Sequence, residues 1–249
     1  MKRFLFLAIL FITFVSAITD DKKIIWLCGD STMAIKETKT YPETGWGMPF
    51  VFFWDSSIQV KNLAKNGRST KTFISENLWQ QVVDGAKEGD FVLIQFGHND
   101  EAVEKKERYA PPAEYKANLV KFITEARLKK ATPILLTPVS RRKFDTLGVA
   151  QETHREYSAY VKEVAKEQNV LFIDLDTYSR ALYQQFGKDN STLLFMQLKS
   201  GEHPNYPEGR NDNTHFTELG ARLIAQLVLK NLKELNTDLN NHIVVSKIK

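Results

Sequence analysis

Short apolar runs that alternate with longer amphipathic stretches constrain the fold of this 249-residue chain more than any other feature. Runs of four to six mostly apolar residues are typical of strands that are buried on both faces of a parallel sheet. We therefore predict five strands, at 24–28, 58–63, 91–96, 134–137 and 170–174.

The segments between these runs have the spacing of amphipathic helices. After Pro111 and Pro112, which can open a helix, apolar residues recur on one helical face up to Ala126, and a similar stripe begins at Leu219. The βαβα order predicts one α/β domain over residues 18–249, a three-layer α/β/α sandwich with a central parallel sheet. The tail after Leu235 is expected either to dock as an edge strand or to fray.

The N-terminus has the layout of a signal peptide. Lys2 and Arg3 precede an apolar run at 4–15, and small residues follow up to Ala17. We predict cleavage near Ala17 and export to the periplasm or the exterior, with no stable membrane anchor. The alternative is an uncleaved anchor, although the run is short for crossing a bilayer.

The mature chain is close to electrically neutral. Removing Lys2 and Arg3 lowers the formal net charge from +4 to +2. Since both signs are interspersed, we expect no nucleic-acid partner, and we interpret the basic cluster 141–143 as a solvated loop. Cys28 is the only cysteine, so no intrachain disulfide is possible and a small buried hydrophobe is expected. We expect a monomer.

Three residues have the chemistry of a serine nucleophile and its base. Ser31 follows the first predicted strand, and Asp212 precedes His215 by three residues, close enough for a tight turn to join the two side chains. A carboxylate held against one imidazole nitrogen leaves the other nitrogen free to accept the serine proton. The alternatives are a helix N-cap for Ser31 and for Asp212, and an ordinary surface residue for His215.

An acyl-transfer site also needs donors for an oxyanion. The candidates are the backbone N–H groups of Ser31 and Gly67 and the side-chain amide of Asn99. Gly67 follows the second strand and Asn99 the third, and in open α/β sheets sites form at the carboxyl ends of strands. The alternatives are a turn glycine and a turn-capping asparagine. We interpret His98 and Asp100 as loop residues that brace Asn99.

A metal centre is the competing interpretation. Asp30, His98, Asp100, Asp212 and His215 could form a cluster of the metallophosphoesterase kind. The order Gly-His-Asn-Asp at 97–100 differs from the Gly-Asn-His-Asp signature of that family, and no Asp-x-His follows the first strand. We therefore expect neither a metal nor another cofactor.

In this order, Gly29-Asp30-Ser31, Gly67, Gly97-x-Asn99-Asp100 and Asp212-x-x-His215 resemble the four blocks of the SGNH (GDSL-like) hydrolase family. The resemblance implies a flavodoxin-like fold and a triad of Ser31, Asp212 and His215. It also implies an oxyanion hole from Ser31, Gly67 and Asn99.

Further motifs are similar to those of one subgroup, the rhamnogalacturonan acetylesterases. They are 29–33, Gly45-Trp46-Gly47, Asn66-Gly67-Arg68-Ser69 and the loop 203–210. This similarity implies an acetylated pectin polysaccharide or oligosaccharide as substrate. Read from the residues themselves, Trp46, Trp79, Arg68 and Tyr206 are candidate sugar contacts, the alternative being that such sparse aromatic residues are core or loop anchors. The alternatives are an SGNH lipase or thioesterase, a deacetylase of another glycan such as xylan, and a non-catalytic glycan-binding module.

Overall fold

The central sheet has five parallel strands in the order β2-β1-β3-β4-β5, as seen in a computed structural model that describes residues 22–245. The strands are β1 (Lys23–Gly29), β2 (Ile58–Asn62), β3 (Phe91–Gln95), β4 (Thr132–Leu136) and β5 (Leu171–Ile173). Each overlaps one of the predicted apolar runs, so the predicted parallel sheet is confirmed. The strand order is the flavodoxin-like one, whose topological switch point lies between β1 and β3.

Both faces of the sheet are covered because successive side chains of each strand point to opposite sides. In β1, Ile25 and Leu27 belong to one buried apolar cluster, while Ile24, Trp26 and Cys28 belong to the other. Full burial of one large apolar side chain contributes roughly 1.5–3 kcal/mol. Strands of this kind read as continuous apolar runs, and the three layers follow from that pattern.

The connecting helices divide between the two faces. Within the described residues they are α1 (Gly47–Phe50), α2 (Thr70–Ser75), α3 (Leu78–Gly85), α4 (Pro112–Leu128), α5 (Arg155–Glu167), α6 (Leu175–Asn190) and α7 (Glu218–Glu234). Helices α1, α6 and α7 pack on the face of Ile25, and α2 to α5 pack on the opposite face. Helix α4 begins at Pro112, as the proline pair predicts.

A two-stranded antiparallel ribbon was not predicted from the sequence. It consists of β6 (Phe195–Leu198) and β7 (Arg210–Phe216), and Phe195 pairs with Phe216. Asp212 and His215 lie within β7 where the pairing register shifts, and the Asp212 carboxylate accepts from the backbone N–H groups of Thr214 and His215, so a local turn joins the two residues as expected. The ribbon carries them to the start of α7, where the Thr217 side chain accepts a hydrogen bond from the Gly220 N–H.

The segment after α7 docks on the body of the protein. Residues Asp238–His242 form a 3-10 turn, Ile243 makes an antiparallel bridge with Trp54, and the Val244 N–H donates to the Phe53 carbonyl at 2.9 Å. Between residues 22 and 245, no helix has the length and apolar character that crossing a membrane requires. The predicted signal peptide at 1–17 lies outside the described residues.

Candidate active site

Ser31, His215 and Asp212 form a continuous hydrogen-bonded chain. The Oγ atom of Ser31 lies 2.9 Å from Nε2 of His215. On the other side of the ring, Nδ1 of His215 lies 2.8 Å from Oδ2 of Asp212. This geometry leaves Nε2 facing the hydroxyl as a proton acceptor, which is the arrangement of a serine nucleophile with an oriented base.

The Asp212 carboxylate is held by its own strand. Its Oδ1 atom accepts hydrogen bonds from the backbone N–H groups of Thr214 and His215, at 2.8 and 3.0 Å. Its Oδ2 atom also accepts one from the Arg210 guanidinium at 2.8 Å. Burial alone would raise the pKa of Asp212, but the contacts with His215 and Arg210 hold that pKa well below its usual range. The carboxylate is therefore ionised wherever His215 can act as a base.

The loop that follows β1 presents Ser31 at the switch point of the sheet. Asp30 is fully buried there, and its Oδ1 atom accepts from the backbone N–H and the hydroxyl of Thr32 at 2.9 and 2.8 Å. Since no helix begins at Ser31 and its Oγ atom faces His215, the N-cap alternative for Ser31 is wrong.

His98 braces the nucleophile loop from the neighbouring strand. Its Nδ1 atom lies 3.1 Å from Oδ2 of Asp30. Burial would raise the pKa of Asp30, yet the His98 imidazole and the Thr32 donors lower it to about 2. His98 therefore contacts the nucleophile loop and does more than support Asn99.

Two candidate oxyanion donors are free of acceptors. In the described part of the chain, neither the Ser31 nor the Gly67 backbone N–H has a hydrogen-bond partner. Gly67 has φ +76°, a left-handed conformation that favours glycine, and a Cβ atom there would lie 3.2 Å from the Arg108 guanidinium. Both N–H groups belong to residues that line the same cavity.

Asn99 lines this cavity too, and its amide is fixed in one orientation. Its Nδ2 atom donates to the Arg68 carbonyl at 2.9 Å, and its Oδ1 atom accepts from Arg108 at 3.1 Å. An amide nitrogen carries two hydrogens, so one remains for a ligand. Together the three groups have the chemistry of an oxyanion hole.

The cavity beside Ser31 has a volume of about 400 Å³ and a cationic lining. Its twelve lining residues include no apolar side chain, and four of them are cationic against one carboxylate. The charged residues are Lys105, Arg108, Arg141, Arg210 and Glu43. Glu43 is itself paired with the buried Lys36, whose Nζ atom lies 2.7 Å from the Glu43 carboxylate.

These cations were not predicted from the sequence as part of the site. Arg141 was interpreted as part of a solvated loop, but it lines the cavity and contacts Glu101 at 3.1 Å. Lys105 and Arg108 come from the long segment between β3 and α4. The clustering of both residues in the segment after Asn99 was the available signal.

The prediction that Trp46 contacts the sugar is wrong. It is fully buried, and its indole N–H donates to the Gln95 side chain at 2.8 Å. Trp79 is likewise in the core and donates to Glu125. Core positions suit these large rings because each indole N–H has a buried or half-buried acceptor.

The other two candidate sugar contacts lie outside the lining of the cavity. Arg68 is paired with Glu76 at 2.8 Å. The Tyr206 hydroxyl donates to the Thr40 carbonyl at 2.8 Å. That hydrogen bond joins the loop before β7 to residues 38–41, so the Tyr206 side chain links two loops.

The residues of the competing metal interpretation do not converge on one point in the described part of the chain. Between residues 22 and 245, no group of three His, Cys, Asp or Glu side chains is placed to hold one ion. The five residues of the metal interpretation are instead divided among separate contacts. Asp30 pairs with His98, Asp212 with His215, and Asp100 accepts from Thr70.

Comparison with known proteins agrees with this geometry. Residues 27–223 match the GDSL-like Lipase/Acylhydrolase family. Rhamnogalacturonan acetylesterase RhgT of Bacillus subtilis (strain 168) is 39% identical over 220 residues, which cover 88% of this chain and 94% of that protein. The probable rhamnogalacturonan acetylesterase YesY of the same organism is 38% identical over 221 residues, with 88% and 97% covered.

A solved structure extends the comparison to three dimensions. The crystal structure of the Bacillus subtilis protein YXIM matches with a TM-score of 0.76 at 26% identity. The match covers 87% of this chain and 58% of that one, so this chain spans little more than half of that protein. With the family match over most of the chain, the conclusion is that this protein belongs to the GDSL-like lipase/acylhydrolase (SGNH) family.

Proposed function

We propose that this protein is a serine esterase that removes acetyl groups from rhamnogalacturonan, the pectin polysaccharide that appears in the names of two of its relatives. The observation that carries the proposal is the aligned triad of Ser31, His215 and Asp212 beside a cavity lined with cations. The triad supplies the ester chemistry, and the lining selects an acidic substrate.

The reaction follows from the positions of these groups. Ser31 Oγ attacks the acetyl carbonyl as His215 Nε2 takes its proton, and the carbonyl oxygen becomes an oxyanion that faces Ser31, Gly67 and Asn99. His215 then returns the proton to the sugar oxygen as the ester bond breaks. Water then attacks the acetyl-enzyme as His215 takes one of its protons, and His215 returns that proton to Ser31 Oγ as the acyl bond breaks and the acetyl group leaves as acetic acid, which ionises to acetate.

The lining of the cavity favours a short acyl group. A long acyl chain gains its binding energy from buried apolar surface, at about 0.8 kcal/mol per methylene group. None of the twelve lining residues offers an apolar side chain. An acetyl group needs little such surface, so this lining supports an acetylesterase over the lipase alternative.

The charge of the cavity favours an acidic sugar. Arg210 is paired with Asp212, Arg141 with Glu101 and Arg108 with the exposed Glu107, so Lys105 is the cation most available to a ligand. Lys105 makes no ion pair within residues 22–245. A carboxylate on the bound sugar would give Lys105 an ionic partner, which neutral xylan would not provide.

Export completes the proposal. A polymer of plant cell walls is met outside the cytoplasm, and the basic and apolar layout of residues 1–17 is typical of a cleaved signal peptide. N-terminal sequencing of the mature protein tests this part. A mature chain that still begins at Met1 would contradict it.

Acetate release from a panel of polysaccharides tests the substrate. We expect the highest kcat/KM on acetylated rhamnogalacturonan, with lower values on acetylated xylan and mannan. Among p-nitrophenyl esters, acetate should be preferred over octanoate. A preference for octanoate would favour the lipase alternative, and binding of glycan without ester hydrolysis would favour the binding module.

A further inference from the structure

A second cavity lies directly beside the catalytic one. It has a volume of about 430 Å³, and the two cavities share His98 and Arg141 as a common wall. Segment 101–109 contributes to both: Glu104 and Tyr109 line the second cavity, while Lys105 lines the catalytic one. A polymer that crosses this wall would occupy both cavities at once.

The lining of the second cavity suits a sugar ring. The half-buried Tyr109 supplies aromatic surface, with the buried Tyr157 behind it, and the polar residues include Thr153 and three carboxylates. The Tyr157 hydroxyl donates to the Ala110 carbonyl, whereas that of Tyr109 has no hydrogen-bond partner between residues 22 and 245. Aromatic faces pack against the C–H faces of sugars, and carboxylates accept hydrogen bonds from sugar hydroxyls.

The two cavities carry opposite charge. The catalytic cavity has an excess of cations, but the second has the carboxylates of Glu101, Glu104 and Glu156 against the guanidinium groups of Arg141 and Arg155. Arg141 is paired with Glu101, and Arg155, whose side chain is 85% exposed, is paired at the surface with Glu152. Glu104 and Glu156 make no ion pair in the described part of the chain. A second acidic sugar would be repelled here.

We propose that this second cavity is a binding subsite for an uncharged sugar adjacent to the acetylated acidic sugar in the catalytic cavity. The proposal rests on the proposed function and narrows its substrate class to polymers in which acidic and neutral sugars are neighbours. A polymer of acidic sugars alone would place a carboxylate against Glu104 and Glu156. A wholly neutral polymer would leave Lys105 of the catalytic cavity without an ionic partner.

Two variants test the subsite. In Tyr109→Ala, kcat/KM on acetylated rhamnogalacturonan should fall about tenfold, and at least about fivefold more than kcat/KM on p-nitrophenyl acetate. In Glu104→Lys, the ratio of kcat/KM on acetylated polygalacturonate to that on acetylated rhamnogalacturonan should rise about threefold or more, because a repulsive charge becomes attractive. This gain cannot result from misfolding.

Glu234→Lys is the matched control, since Glu234 is exposed near the C-terminal end of α7 and makes the same charge change away from either cavity. Its ratio should equal that of the unmodified protein. Equal losses of Tyr109→Ala on polymer and p-nitrophenyl acetate would overturn the subsite. An unchanged ratio in Glu104→Lys would overturn its preference for an uncharged sugar. If the unmodified enzyme releases no acetate from acetylated rhamnogalacturonan, the proposed function itself fails.

Discussion

The His98 imidazole lies 3.1 Å from the buried Asp30 carboxylate, and this contact joins the loop that carries Ser31 to the loop that carries Asn99. Together with the hydrogen bond from the Gln95 side chain to the Thr32 hydroxyl, this contact sets the relative position of the nucleophile and an oxyanion donor. The two loops follow the neighbouring parallel strands β1 and β3, whose last residues, Gly29 and Gln95, are paired in register. His98 is a positioning residue in this arrangement.

Loss of that contact should lower kcat more than it changes KM. In His98→Ala we expect kcat on p-nitrophenyl acetate to fall about 10²-fold, the effect of misplacing reacting groups by about 1 Å. His98→Gln retains an amide donor and should recover part of the loss. A fall in thermal stability with unchanged kcat in the folded fraction would show that His98 serves the fold alone.

The triad predicts a separate set of kinetic losses. Ser31→Ala should reduce kcat by up to about 10⁶-fold, and Asp212→Asn by about 10⁴-fold, because the amide would favour the wrong tautomer of His215. Circular dichroism and thermal melts should show folded proteins in both cases. Near-normal ester hydrolysis by folded Ser31→Ala would rule out the serine mechanism.

The sequence predicted the parallel sheet and the site edge for a physical reason. Strands such as 91–95 are buried on both faces, so their residues form continuous apolar runs, and polar residues at their carboxyl ends converge. The ribbon of β6 and β7 was not predicted because β7 is largely polar and half-exposed and has no apolar run. Its strands form by pairing with each other, which a local pattern does not encode.

Side-chain environments were harder to predict than strands. Trp46 is buried because its indole N–H meets Gln95, a partner 49 positions away in the chain. Arg141 and Lys105 reach one cavity from the segments after β4 and β3. Such contacts depend on the tertiary arrangement of loops, and a basic residue in a loop looks solvated until that arrangement is known.

Asn99 should contribute to the transition state rather than to substrate binding. Its Nδ2 atom already donates one hydrogen to the Arg68 carbonyl, which aims the amide at the cavity. Asn99→Ala should lower kcat by about 10²–10³-fold with a smaller change in KM. Steady-state kinetics with p-nitrophenyl acetate provide the measurement. A change confined to thermal stability would assign Asn99 a purely structural role.

Asp100 should make the stability of the protein depend on pH. Its burial raises its pKa to about 7, although the hydrogen bonds from Thr70 act in the opposite direction. The unfolded carboxyl group titrates near 3.9, so between about pH 4 and 7 the folded state binds more protons than the unfolded state. Stability contributed by this group therefore falls as pH rises, by up to about 1.4 kcal/mol per pH unit.

Asp100→Asn removes this dependence while keeping a side-chain oxygen for Thr70, which donates to Oδ1 at 2.8 and 2.6 Å. Urea denaturation at pH 5 and pH 8 should show the variant gaining stability relative to the unmodified protein as pH rises. Asp30 has a folded pKa of about 2, and that of Asp212 is also well below its usual range, so both titrate below this window. A constant difference between variant and unmodified protein would contradict a raised pKa for Asp100.

Lys105 and Lys106 offer a matched test of the cationic cavity. Both side chains are exposed and adjacent in the chain, but only Lys105 lines the cavity beside Ser31. If an acidic sugar binds there, Lys105→Gln should raise KM for acetylated rhamnogalacturonan about five- to tenfold, while Lys106→Gln should change it less than about twofold. Because exposed charges are screened by salt, the difference between the two variants should shrink as ionic strength rises toward 1 M, where the Debye length is about 3 Å. Equal KM values for the two variants at low salt would remove the electrostatic argument for an acidic substrate and leave neutral glycans such as xylan as the better candidates.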